Sequence, residues 1–225
     1  MIDTLLFLGY FVVYSILLIL AIKLAVKHGW KNFSNLLLLV IIGLVYDNLI
    51  LALGRFIGEG DLLKTLSYPR FYMHAFFTPL LVLFSLSALK RSGVQWAFKK
   101  WSSWIFYFIT LCLILYEILI EMRDLTLTPN WQYGALSYSN AEAGGGVPIM
   151  VLIVSIVLII SSIFVWRRQG WMWFFVGTVI MLLGNAFPLP LPSAALPNAF
   201  ELVLILALFF TKKFQDNHLL LQKLP

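Results

Sequence analysis

Seven long apolar runs dominate this chain, at about 4–26, 33–54, 69–89, 102–122, 148–166, 171–187 and 197–211. Most reach the ~17–25 residues a membrane-spanning helix needs. A backbone in hydrocarbon must satisfy its own hydrogen bonds, and a helix does so within each segment. Charged residues make up only 12% of the chain, about half the ~25% of water-soluble domains. The sequence therefore predicts an all-α polytopic membrane protein in which residues 1–225 form a single integral membrane domain, a seven-transmembrane-helix bundle. Its last run is short, so Lys212 and Lys213 are expected to snorkel out from its end.

The net charge of +6 is distributed as orientation signals rather than as a nucleic-acid surface. Twelve of the sixteen Lys and Arg residues fall on one side of the expected bundle: Lys23, Lys27, Lys31, Lys90, Arg91, Lys99, Lys100, Arg167, Arg168, Lys212, Lys213 and Lys223. Only Arg55, Lys64, Arg70 and Arg123 lie toward the other. The positive-inside rule then puts the N-terminus outside and the C-terminus in the cytoplasm of a plasma-membrane protein. The start, Met1-Ile2-Asp3-Thr4, lacks the basic region of a cleavable signal peptide, so the first helix is expected to remain. The lone Cys112 allows no intrachain disulfide and no cysteine metal cluster. Trp and Tyr near the run ends form an interfacial belt.

Two outer connections are unusual. Residues 123–147 are rich in Tyr, Trp, Asn and Ser, and a lid and an unstructured connection remain equally open there. The stretch from Phe187 to Pro197 carries four prolines and is expected to lie at the interface or to turn back under protein cover.

Polar residues inside the runs fall into stripes at helical spacing. Gly43, Asp47, Gly54, Arg55 and Gly58 share one face of the second run, with Tyr46 and Asn48 beside Asp47. Arg70, His74, Thr78 and Ser85 align on the third, and Tyr107, Thr110, Glu117 and Glu121 on the fourth. Thr178 and Asn185 mark the sixth run, and Asn198 and Glu201 the seventh. Asp47 is the deepest; a carboxylate at that level costs roughly 2.5 kcal/mol or more, so it should face a partner or a wet cavity. His74, Glu117, Asn185 and Glu201 each lie one or two turns inside the outer end of their runs. The ionisable groups thus converge in the outer half, and the inner halves are almost wholly apolar. That asymmetry predicts an outward-facing polar pocket.

Several chemistries fail on residue content. A zinc hydrolase of the seven-helix ceramidase type needs about three intramembrane histidines, and only His74 is present there. A rhodopsin-type Schiff base needs a lysine midway along the last run, which has none between Glu201 and Phe210. Tyr46-Asp47 and Gly58-Glu59-Gly60-Asp61 resemble the two aspartate motifs of aspartyl intramembrane proteases. The two aspartates are 14 residues apart, or ~21 Å on a continuous helix, too far to share a proton.

What remains is acid–base chemistry by buried carboxylates. Asp47 is expected as the acid, Glu117 as its partner and His74 as a proton shuttle. Tyr46, Asn48, Arg55, Arg70, Glu121, Asn185 and Glu201 are expected to bind the ligand, with Arg55 and Arg70 holding a polar or phosphorylated head. The expected partner is a membrane lipid, an isoprenoid or another hydrophobic small molecule, with no cofactor, no metal and no nucleic acid. In helix number and paired acids the chain is similar to the small integral-membrane terpene cyclases, without a shared motif. A proton-linked transporter or a non-catalytic ligand-binding receptor would use the same residues.

Overall fold

The computed structural model describes residues 2–141, 148–187 and 191–221, with the side chains of Asn185 and residues 219–221 left out. The expectations for the glycine-rich stretch before Pro148 and for the middle of the Phe187–Pro197 connection therefore lie partly outside the described residues.

Among the described residues, eight α-helices and one hairpin follow in order: α1 (Ile2–His28), α2 (Leu37–Ile57), α3 (Asp61–Phe77), α4 (Leu80–Arg91), α5 (Lys100–Tyr116), β1 (Leu127–Gln132), β2 (Ala135–Asn140), α6 (Ile149–Gln169), α7 (Trp173–Ala186) and α8 (Leu196–Leu221). Among the described residues, five helical stretches are long and apolar enough to cross a membrane: Ile2–His28, Phe33–Ile57, Asp61–Arg91, Lys100–Glu121 and Ile149–Gln169. Trp173–Gly184 is apolar but shorter. The fold is thus a helical bundle compatible with a membrane protein.

Local chemistry sets the helix ends. A 3₁₀ turn, Phe33–Leu36, leads into α2, and Asn32 caps it by accepting from the Ser34 amide at 3.0 Å. Gly58 ends α2 at φ 83°, and Gly170 ends α6 in the left-handed region with its amide donating to the Trp166 carbonyl. α3 and α4 run as one 31-residue stretch, interrupted only at Thr78-Pro79. Pro79 lacks the N–H that would continue the ladder. α5 runs on into a π-helical turn, Glu117–Glu121.

Two differences from the expected elements matter. The third helix begins at Asp61 rather than near 69. Leu63, wholly buried under the hairpin with Ile50, Leu127, Leu136 and Tyr138, gives that extra length a reason. The last helix continues past Lys212, which does not snorkel: it is 2% exposed and donates to Asp216 one turn on, at 2.6 Å. Lys213 is exposed, as expected.

The 127–140 segment forms an antiparallel hairpin with Gln132 opposite Ala135. Its two-residue loop, Tyr133 (φ 47°) and Gly134 (φ 85°), has both residues at positive φ, the geometry that matches strand twist. β2 turns Ala135, Leu136 and Tyr138 into the protein. The hairpin seats on α2 at Gly54, where a Cβ would come within 2.0 Å of the Leu136 carbonyl oxygen. The Gly134 carbonyl accepts from Thr4 Oγ1 at 3.0 Å and from Arg55 Nη1 at 3.3 Å. The Gly60 amide donates to Tyr138 Oη at 3.0 Å, and Trp131 Nε1 donates to Glu59. The hairpin therefore covers one end of α1, α2 and α3.

The main core lies along α1, α2, α4, α6, α7 and α8, around Tyr14, Ile41, Val82, Phe84, Leu158, Phe174 and Leu208. α7 lies close against α8 because it presents glycine at two points seven residues apart. A Cβ at Gly177 would meet the Ala207 Cβ at 2.3 Å, and one at Gly184 the Phe200 ring at 2.4 Å. This contact carries the start of α8, with Asn198 and Glu201, into the bundle.

Candidate functional site

A cavity of about 250 Å³ opens between α2, α3 and α8, near the hairpin end. α2 supplies Val40, Gly43, Leu44 and Asp47; α3 supplies Arg70, Phe71, Met73, His74 and Phe77; Asn198 and Glu201 come from α8. Gly43 admits this space: an added Cβ would lie 3.2 Å from the Phe77 ring. Helical spacing explains the convergence. Asp47 lies one turn from Gly43, and Arg70, His74 and Thr78 succeed one another every four residues.

Depth explains why α3 can carry an arginine. About 20 residues span the hydrocarbon core, and counting back from Arg91 reaches Phe71–Tyr72. In a membrane-spanning α3–α4, that count would put Arg70 at the polar boundary and His74 one turn inside it.

Arg70 Nε donates to Asp47 Oδ1 at 2.7 Å, with the side chains 13% and 24% exposed. Arg70 Nη1 also reaches the Tyr138 carbonyl at 3.5 Å, and its guanidinium lies 5.7 Å from the Phe71 ring centroid. Asp47 is thus held in an ion pair across α2 and α3, not standing alone as the acid donor anticipated from sequence. His74 Nδ1 lies 3.2 Å from Thr78 Oγ1. Both His74 and Glu201 lie within reach of the Asp47 charge. His74 is exposed and Glu201 half-buried, and each lines the cavity.

The remaining expected residues take other positions. Asn48 is fully buried behind the site; it donates to the Leu44 carbonyl and accepts from Asn198 Nδ2 at 3.1 Å. It thereby fixes α8 against α2 beside Asp47. Tyr46 turns toward the hairpin cluster, and its hydroxyl donates to the Leu66 carbonyl at 2.9 Å. Arg55 is exposed and serves the hairpin turn. Glu117 and Glu121 belong to the π turn after α5 and are absent from the cavity lining. Glu121 accepts from the Tyr116 hydroxyl at 2.8 Å. The side chain of Asn185 lies outside the described residues.

The carboxylate that shares the cavity with Asp47 is therefore Glu201 rather than Glu117. Sequence depth placed both near one level; only the packing of α8 separated them. Tyr14 of α1 was not anticipated either. Its ring is fully buried, and its hydroxyl has no hydrogen-bond partner among the described residues. A second cavity of about 40 Å³ shares Val40, His74, Thr78 and Glu201 with the first. It is otherwise walled mainly by apolar residues such as Leu81, Val154, Leu158 and Ile205, with Ser155 the exception. Among the described residues, no three His, Cys, Asp or Glu side chains stand close enough to hold a metal ion.

Compared with protein-family models, curated proteins and solved structures, the chain matches none.

Proposed function

We propose that this protein crosses the plasma membrane seven times, with the hairpin end outside, and is an enzyme that acts on a lipid or isoprenoid by acid–base chemistry. The observation that carries the reading is one open cavity lined by Asp47, Arg70, His74 and Glu201 beside a mainly apolar core. Buried ionisable groups are costly in such surroundings and are retained where they bind or transfer protons. The orientation rests on the positive-inside bias, and the hairpin end carries few basic residues.

Glu201 and His74 supply the proton donor and acceptor. Arg70, steadied by Asp47 and the Tyr138 carbonyl, turns its remaining donors to a polar or phosphorylated head. Asn48 and Asn198 position α8. At about 250 Å³ the cavity is below the ~300–1,000 Å³ of sites that enclose a drug-sized ligand. It takes the head and reacting end of an amphiphile, while the apolar tail lies outside along the helices.

A second reading, a proton-linked transporter, draws on the smaller cavity that continues past His74 and Glu201. Its mostly apolar wall offers little continuation beyond that point.

The test is whole-cell lipid mass spectrometry with wild type, Glu201→Gln and Asp47→Asn at matched membrane levels. A lipid species made or consumed only by wild type is expected, with Glu201→Gln lowering turnover about 100-fold, the usual scale for losing a general acid. Identical profiles in all three would overturn the enzyme reading. Solute accumulation restricted to sealed vesicles would then favour transport.

A further inference from the structure

A groove of about 420 Å³ runs between α1 and α8, at the end of the bundle opposite the hairpin. Its walls are Leu17, Leu20 and Leu24 of α1 and Phe209 and Phe210 of α8; its rim carries Lys23, Lys27 and Lys213. We infer that this groove is a binding site for an anionic phospholipid, with the acyl chain between α1 and α8 and the headgroup phosphate held by the three lysines.

Three observations support the assignment. The first is charge. Three cations face one rim, no acidic side chain lines it, and none of the three takes part in an ion pair among the described residues. Of the other cations at this end, Arg91 and Lys212 are engaged by Asp216 and Lys90 by Ser103. Lys23 and Lys27 lie four residues apart on one face of α1, and both are exposed. Lys213 Nζ sits 5.9 Å from the Phe210 ring centroid, which draws it toward the groove.

The second is length. From Lys27 to Leu17 the groove follows ten residues of α1, a rise of ~15 Å. That is half of a ~30 Å hydrocarbon core, the depth of one leaflet. A headgroup at the lysines thus brings a single acyl chain down the groove.

The third is the contrast with the groove on the other side of α1. That groove is larger, about 660 Å³, and is lined by Leu18, Ile22, Leu38, Leu39 and Ile42. It has one lysine, Lys31, at its mouth. Any lipid can fill it; only the Lys23–Lys27–Lys213 groove carries a charge that selects.

The experiment uses the full chain in bilayers of phosphatidylcholine, probed with spin-labelled phosphatidylglycerol or spin-labelled phosphatidylcholine. Wild type is expected to immobilise phosphatidylglycerol roughly tenfold more strongly, a conservative gain for three lysines beside an anionic lipid. Combined Lys23→Gln, Lys27→Gln and Lys213→Gln should bring the ratio close to one, and Lys31→Gln should leave it unchanged. Leu20→Trp, which fills the groove but keeps the lysines, should also abolish the preference. Equal immobilisation of the two lipids by wild type would overturn the proposal. So would a preference that survives the triple variant, or one that survives Leu20→Trp and so belongs to surface charge alone. The readout does not depend on enzymatic turnover, so failure here leaves the proposed function untouched.

Discussion

Two polar clusters sit at opposite ends of the bundle, and they are built to different rules. At the end away from the hairpin, Asp216 accepts from both Arg91 and Lys212, and the three side chains are between 2% and 8% exposed. Around them Ser34 accepts from Arg91, Gln169 donates to the Arg91 carbonyl, and Gln215 bridges the Ala88 carbonyl and Gln169. No described cavity opens there. At the hairpin end, Asp47 and Arg70 are more accessible, and His74, Asn198 and Glu201 face space rather than one another. A cluster that spends most of its hydrogen bonds on itself, here all but Arg91 Nε and Gln215 Oε1, holds helices together; one that leaves donors and acceptors facing a cavity is free to bind.

The contrast is easiest to break at Asp216. Asp216→Ala strands two buried cations and is expected to cost about 3–5 kcal/mol, the scale for removing one partner of a buried pair. Asp47→Asn, in the more accessible pair, is expected to cost no more than about 1 kcal/mol. Unfolding both variants in detergent checks the ranking; equal losses would mean that the Asp47 pair is structural too.

A smaller effect is expected at the hairpin. Gly54→Ala places a methyl against the Leu136 carbonyl, an overpacking worth about 1–3 kcal/mol. The chain is expected to yield by lifting the hairpin, not by unfolding the bundle. Hydrogen exchange should speed up at residues 127–140 and stay slow around Arg91 and Asp216. The smallest effect belongs to Glu117, outside the cavity: Glu117→Gln should shift stability by less than about 0.5 kcal/mol and leave the lipid change intact. A loss of turnover would return Glu117 to the site.

The helices were legible because apolar runs of this length permit little else. The positions of Asp47, Arg70 and His74 were legible too, since four-residue spacing fixes a face. Which carboxylate joined them was not. Glu117 and Glu201 have similar depth, and spacing within a helix says nothing about which helix lies opposite. The hairpin was hidden for a related reason. Its strands are short and polar, β1 contains Pro129, and the turn places a tyrosine at positive φ where Asn or Asp would have advertised it. Lys212 misled because Lys212-Lys213 reads as a helix end, whereas its partner, Asp216, lies one turn further on.

Asp3 gives the molecule an order of events. This fully buried carboxylate accepts from the Ser193 hydroxyl at 2.9 Å and from the Ala194 amide at 2.6 Å, fastening the first turn of α1 to the turn that opens α8. The partners are 190 and 191 residues apart. At ~5–20 residues per second, synthesis separates them by roughly ten to forty seconds. Asp47, Arg70 and His74 are made in the first part of that interval, and Asn198 and Glu201 follow only after Ala194. The cavity has no wall on that side until α8 arrives, so Asp47, Arg70 and His74 wait for Asn198 and Glu201 before it is complete.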